Sequence, residues 1–220
     1  MIAKEGFPFI LGAAAVLLIL LILPKFLLIA LALVVLALFI WFFRDPERNI
    51  PADPNVAVSA ADGKVVDVAE VEVNGVKYKK IAVFMNIFSV HVNRVPFTGT
   101  VKSIEHIAGK FINAAKKEAS IENERNIVTF STSAGDIVVV QVAGLLARRT
   151  VCNAKVGDVL SSGDRFGMIK FSSRVDHYFP LSFDVKVAVD DLVKAGESVI
   201  AVYEGAKSEP LPLAASQDDL

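Results

Sequence analysis

Lys64-Val65-Val66-Asp67-Val68-Ala69-Glu70-Val71-Glu72-Val73-Asn74-Gly75-Val76-Lys77-Tyr78-Lys79-Lys80-Ile81-Ala82-Val83-Phe84-Met85 decides the fold class. Apolar and polar residues alternate along Lys64–Val71, the period of a half-buried strand. Asn74-Gly75 follows, the strongest short hairpin signal, and Val76–Met85 reads as the return strand. Further strands are expected at Val90–Val95, Thr100–Ile107, Asn126–Ser133, Asp136–Val142, Phe166–Phe171, Asp184–Val189 and Ser198–Tyr203. Gly135, Gly157, Gly163 and Gly196 punctuate them. Residues 109–120 read as a short helix, with Phe111, Ile112 and Ala115 loosely on one face. Many short strands at regular spacing predict a mainly β (α+β) body, an antiparallel flattened β-sandwich or barrel. Ala61-Asp62-Gly63-Lys64-Val65-Val66 and Lys194–Ile200 look like the turns of lipoyl- and biotinyl-type sandwich domains, which suggests a barrel-sandwich hybrid. The Asp-Lys or Met-Lys pair that would carry such a group is absent from the sequence.

The amino terminus obeys a different rule. Mean hydropathy is +0.53 and 54% of the 220 residues are hydrophobic, too apolar for an ordinary soluble domain. The excess lies in residues 7–43. Residues 9–23 carry no charge, Pro24-Lys25 interrupts, and residues 26–43 are apolar again. A cleaved signal peptide would show a small-residue site after one short apolar core; here a second, longer run follows at once. A spanning helix takes roughly 17–25 residues. The alternatives are a helical hairpin turning at Pro24-Lys25 and one tilted helix kinked there. The hairpin is preferred because it keeps Lys25 out of the hydrocarbon, where a central charge costs roughly 2.5–3.5 kcal/mol. It also puts Lys4, Arg44 and Arg48 on one side, as basic flanks on the cytoplasmic side require. The expected organisation is a membrane segment at 1–43, a proline- and charge-rich linker at 44–58, a β domain at 59–204 and a loose tail at 205–220.

Net charge is −1, so no global basic field argues for nucleic acid. The single cysteine, Cys152, excludes an intramolecular disulfide, has no metal-ligand spacing and reads as an apolar filler.

In Gly167-Met168-Ile169-Lys170-Phe171-Ser172-Ser173-Arg174-Val175-Asp176 two serines separate two apolar runs. Pattern alone allows a solvated strand edge. The sharper alternative, which only the rest of the chain can support, is self-cleavage: a serine hydroxyl attacks the preceding carbonyl, and elimination and hydrolysis leave a pyruvoyl ketone on a new amino terminus, an electron sink made from the chain itself. Among the three histidines, His91 alternates with Ser89 and Asn93 on one strand face, so an imidazole, a hydroxyl and an amide project together. His106 and His177 have no such neighbours and read as surface or packing residues. Asp62, before Gly63, is either a turn former or the group that orients His91 as base for the Ser173 hydroxyl. Arg148-Arg149 is either a solvated edge or a phosphate contact.

Phe43-Arg44-Asp45-Pro46-Glu47-Arg48, Ala61-Asp62-Gly63, Phe84 through Pro96, Gly109-Lys110-Phe111, Glu122 through Asn126, Ala147-Arg148-Arg149 and Arg165 through Asp176 occur in order along residues 43–180. In these pieces the chain resembles the phosphatidylserine decarboxylase family, in its short bacterial and archaeal branch. The resemblance implies a proenzyme that cuts itself between Ser172 and Ser173 into β and α chains, with Ser173 becoming the pyruvoyl cofactor and Asp62 and His91 assisting. It implies decarboxylation of phosphatidylserine to phosphatidylethanolamine, with His91 as proton donor and no metal; the basic flanks of the hairpin put the catalytic domain on the cytoplasmic side of the inner membrane. Arg148, Arg149, Asn93 and Lys110 are the substrate-binding candidates, and a homo-oligomer is left open. The family usually has Gly-Ser at the scissile bond, where this chain has Ser172-Ser173, and long-branch members carry a second histidine near the position of Arg94. The competing readings are a non-catalytic, membrane-tethered sandwich that binds lipid or a partner, and a decarboxylase for another aminophospholipid.

Overall fold

The computed structural model describes residues 1–22, 26–112, 114, 119–144, 150–170 and 173–205. Helices α1 (Phe7–Leu21) and α2 (Phe26–Phe42) carry no charged side chain and are apolar on every face, the composition of a helix surrounded by other apolar matter. Leu11, Leu18, Ile19, Leu27, Leu31 and Leu38 are each more than half exposed, so the protein itself does not cover them. Lys4–Leu21, 18 residues, is long and apolar enough to cross a membrane. The 17 residues of α2 reach about 25 Å at 1.5 Å per residue. The helices lie side by side in opposite directions: the Phe9 ring is 5.7 Å from Phe39 and 5.2 Å from Phe43, and Ile2 bridges to Arg44. The Pro24-Lys25 turn falls outside the described residues.

Strands follow: β1 (Val56–Val58), β2 (Gly63–Val73), β3 (Val76–Met85), β4 (Val92–Arg94) and β5 (Gly99–Ile107). After α3 (Ala119–Glu122) come β6 (Arg125–Thr132), β7 (Gly135–Ala143), β8 (Thr150–Cys152), β9 (Val159–Leu160) and β10 (Arg165–Ile169). The last are β11 (Ser173–Pro180), β12 (Phe183–Val185), β13 (Leu192–Val193) and β14 (Val199–Tyr203). Every strand pair is antiparallel. One eight-stranded sheet has the order β13-β2-β3-β11-β7-β6-β5-β9, and two three-stranded sheets have the orders β1-β14-β12 and β4-β10-β8. The mainly β, antiparallel body expected from the sequence is what forms. The main core draws Val65, Ile81, Phe130, Val139 and Val175 from the large sheet, Phe166 and Ile169 from one small sheet and Phe183 and Ile200 from the other.

The β2–β3 hairpin turns where the sequence placed it. Asn74 has φ 52° and Gly75 φ 80°, both positive, as a two-residue turn matching the strand twist requires, and Val73 pairs with Val76. Residues 109–112 differ from the helix expected there. Lys110 forms a bridge to Asn123 and the Asn123 side chain bonds both the N–H and the C=O of Ile112. These long-range bonds satisfy the backbone better than a helix with a poorly defined apolar face. The linker is also more ordered than its prolines suggest. It ends in β1, which pairs with β14, and Asp45 is buried between Arg94 and Arg165.

Candidate active site

β11 is the centre of the site. It lies inside the eight-stranded sheet between β3 and β7, with Ser173 opposite Met85 on one side and Ala143 on the other. Its alternation sorts two environments. Val175 and Phe179 face the main core, and Ser173 and His177 share that parity, both fully buried. Arg174 and Asp176 face the other way as a buried ion pair of 2.7 Å. Lys80 lies 3.7 Å from Asp176, and the Ala114 carbonyl accepts from Arg174 at 3.1 Å. This pair fixes the strand that starts at Ser173. Ser172 and Phe171 lie outside the described residues.

The Ser173 hydroxyl meets the Met85 sulfur at 3.3 Å. The same sulfur is 3.9 Å from the Asn93 amide nitrogen. Asn93 also donates to the Ala60 carbonyl at 3.4 Å and accepts from Gln141 at 2.8 Å. Gln141 accepts from Asn126, which meets His106 at 2.8 Å. A chain of polar side chains thus runs from exposed His106 through the sheet to the atom beside Ser173. Gly167 makes room for it: a Cβ there would lie 2.3 Å from the Val151 carbonyl and 2.7 Å from the Gln141 amide. Asn93, a substrate-binding candidate, therefore has its amide engaged inside the protein. Gln141 and Met85 were missed from sequence. A polar residue in the apolar run Val138–Ala143 was the available signal for Gln141; nothing in the sequence singles out Met85.

His91 is fully buried. Its Nδ1 lies 2.9 Å from the Ser89 carbonyl. A carbonyl only accepts, so Nδ1 carries the proton and Nε2 presents a lone pair. That Nε2 has no partner among the described residues. Burial pushes the imidazole down to about 4; the bond to Ser89 works against the shift and the nearby Arg44 charge adds to it. His91 is therefore a neutral base at physiological pH. Its ring lies 4.3 Å from that of Phe42, the last residue of α2, and its carbonyl accepts from the Ile169 N–H at 3.3 Å, four residues before Ser173. A second apolar cluster of Phe42, Phe43, Val90, Val92 and Met168 joins the helical hairpin to this side of the site.

Asp62 sits elsewhere than beside the imidazole. Arg48 donates to both its carboxylate oxygens at 2.9 Å, and the Ala195 N–H donates at 2.8 Å. The carboxylate ties the linker to the β13–β14 turn, and no hydrogen bond joins it to His91 among the described residues. The physical reason is charge: Arg48, with 6% of its side chain exposed, demands a carboxylate more strongly than a neutral imidazole does. Arg94, near the place of the second histidine of long-branch relatives, is likewise a strut, bonded to Asp45, Pro46 and Gly163. Lys110 lies at the surface and pairs with Glu122 at 3.2 Å. Arg148 and Arg149 fall outside the described residues.

Of the two alternatives the sequence left for His177, surface or packing, the structure shows packing: the side chain is fully buried. Its Nδ1 donates to the Ile81 carbonyl at 3.0 Å and its Nε2 accepts from the Ala60 N–H at 2.9 Å. Both nitrogens are spent on the backbone, and burial pushes this imidazole down to about 4. Cys152 is half-buried against the core, and burial pushes its thiol up. Among the described residues no group of three His, Cys, Asp or Glu side chains could hold a metal ion.

Ser173, buried at the head of a central strand, and His91, a buried neutral imidazole whose Nε2 is an acceptor, are the two groups here suited to activation of a hydroxyl, and no hydrogen bond joins them among the described residues. Residues 35–201 match the family model described as phosphatidylserine decarboxylase. The chain is 46% identical over 212 residues to the phosphatidylserine decarboxylase proenzyme of Cupriavidus pinatubonensis, covering 94% of this chain and 97% of that protein. It is also 46% identical over 211 residues to the phosphatidylserine decarboxylase proenzyme of Citrifermentans bemidjiense, covering 91% and 96%. Strand, histidine and serine thus sit within a stretch shared nearly end to end with those proteins, and the chain belongs to the phosphatidylserine decarboxylase family.

Proposed function

We propose that this chain is the precursor of a carboxy-lyase that converts phosphatidylserine to phosphatidylethanolamine and CO2, and that it matures by cutting itself between Ser172 and Ser173. The observation that carries the reading is the tautomer of His91: its proton is held by the Ser89 carbonyl, so a buried Nε2, without a partner among the described residues, is left to accept another. In maturation the Ser173 hydroxyl attacks the carbonyl of residue 172, and His91 takes its proton. The peptide N–C bond breaks as the ester forms, and elimination then releases the 1–172 β chain as a carboxylate. Hydrolysis of the remaining dehydroalanine releases ammonia and leaves a pyruvoyl group at residue 173.

The position fits that group. It is buried, which excludes water from a reactive carbonyl, and both neighbouring strands hold its backbone. The pyruvoyl group supplies a ketone that takes up the electron pair released with CO2. The protein's own part is to hold that carbon beside the Met85 sulfur, to exclude solvent, and to return a proton to the product through His91. Asp62 acts at a distance as a positioning residue: through Arg48 it fixes the linker that ends α2 against His91. Arg148 and Arg149 are assigned the lipid phosphate on the chemistry of adjacent guanidinium groups; Lys110 and Asn93 are not needed for it.

The two apolar helices are assigned to the membrane as an anchoring hairpin. Lys4, Arg44 and Arg48 lie at one end of it, which favours a cytoplasmic body at the inner membrane. The substrate then reaches the site from the same bilayer. The test is formation of phosphatidylethanolamine from phosphatidylserine vesicles by the purified full chain. Activity lost in both Ser173→Ala and His91→Ala supports the reading; an active Ser173→Ala protein overturns it.

A further inference from the structure

The loop Asn86–Ser89, between β3 and β4, presents Phe88 at 66% exposure and Ile87 at 47%. Single exposed apolar residues are ordinary; this pair is not isolated. The Phe88 carbonyl accepts from Arg44 at 2.6 Å, and Arg44 also bonds the Trp41 carbonyl at 2.8 Å and lies over the Trp41 ring at 4.2 Å. The loop is thereby fixed beside the end of α2, where Trp41 is 55% exposed and Ile40 45%.

Its backbone is also closed on itself. The Phe88 N–H donates to the Asn86 side-chain oxygen at 2.8 Å and the Ser89 N–H to the Asn86 carbonyl at 3.0 Å. The Phe88 carbonyl is taken by Arg44 and the Ser89 carbonyl by His91. A loop that turns two large apolar side chains outward while pairing these backbone groups internally has the property that entry into lipid demands. Tryptophan and arginine beside it are residues of the membrane–water interface.

We propose that Ile87 and Phe88 enter the phospholipid bilayer interface as a third membrane contact beside the two helices, in the loop that leads into His91. The same loop carries the carbonyl that sets the His91 tautomer, so contact with lipid and orientation of the base are joined within three residues. The bilayer substrate is then met where the base is already held. The inference rests on the membrane-anchored decarboxylase reading, and the experiment separates the two.

In the first arm, Phe88→Cys in a Cys152→Ser background carries an environment-sensitive fluorophore in proteoliposomes of phosphatidylcholine and phosphatidylserine. A blue-shifted emission quenched by spin-labelled lipid is expected; emission as in water, unaffected by the quencher, overturns the proposal whatever the activity. In the second arm, Ile87→Ser/Phe88→Ser with native Cys152 is assayed on bilayer phosphatidylserine and on a short-chain, monomeric phosphatidylserine. Loss of two partly buried apolar side chains lowers kcat/KM on the bilayer roughly tenfold, through KM, and changes the monomeric rate less than twofold. Equal rates for variant and parent on bilayers overturn the loop's role. Failure of the unsubstituted protein on both substrates overturns the decarboxylase reading instead, and the fluorophore still decides where the loop lies.

Discussion

Acidification from pH 7.5 to pH 5 destabilises the uncut protein through two buried histidines. The suitable background is Ser173→Ala, which stays one chain. His91 and His177 are both fully buried, and burial lowers each from 6.5 to about 4. Between those values the unfolded chain binds more protons than the folded one, so stability is full above pH 6.5 and is lost as pH falls towards 4. Each histidine costs about 2 kcal/mol at pH 5 and about 3 kcal/mol below pH 4. The pair, about 4 kcal/mol at pH 5, lowers Tm by roughly 8–16 °C for a chain of this size. Thermal unfolding in detergent, followed by circular dichroism at pH 7.5, 6 and 5, measures it. Carboxylates contribute equally to parent and variants, so the comparison isolates the imidazoles. His91→Gln and His177→Gln should each remove about half of the histidine-dependent loss. An identical pH dependence with and without His91 refutes its placement as a buried neutral base.

Asp62→Ala and Arg48→Ala should each cost about 2–4 kcal/mol by leaving a partner charge largely buried, and the double variant should cost little more than either; additive losses in a thermal double-mutant cycle would show that the two do not act together. Asn93→Leu removes the link between Gln141 and the Met85 sulfur. It should lower stability by about 1–2 kcal/mol and slow maturation, read from denaturation curves and a time course of chain cleavage; unchanged cleavage would detach the polar chain from Ser173. Ser172→Gly relieves crowding at the attacked carbonyl and should speed cleavage several-fold in freshly synthesised protein; slower cleavage would reverse that steric argument.

The β2–β3 hairpin was legible because one of its faces alternates and its turn needs two residues of positive φ, which Asn-Gly supplies. β11 was not. It is buried on both faces, and its burial is compatible with Arg174, Asp176 and His177 only because Lys80, Ala114, Ile81 and Ala60 satisfy them from distant parts of the chain. Polar residues in a central strand look like a loop until those partners are known. His91 stood out through alternation with Ser89 and Asn93, yet its bond partner is a backbone carbonyl, which no side-chain pattern announces. Asp62 was noticed for the same reason Arg48 binds it, a carboxylate in an apolar setting, but which cation or imidazole it meets is a matter of tertiary packing. Asp45, Arg94 and Arg165 converge from three segments, so the linker's charges read as solvated until the fold closes over them.

Whether Ser173 cuts its own chain is decided by intact-mass measurement of the purified protein. Self-cleavage yields two chains, residues 1–172 with a free carboxylate and residues 173–220 with a pyruvoyl group that blocks amino-terminal sequencing. A single 220-residue chain that retains an ordinary serine at position 173, in protein that decarboxylates phosphatidylserine, would contradict it.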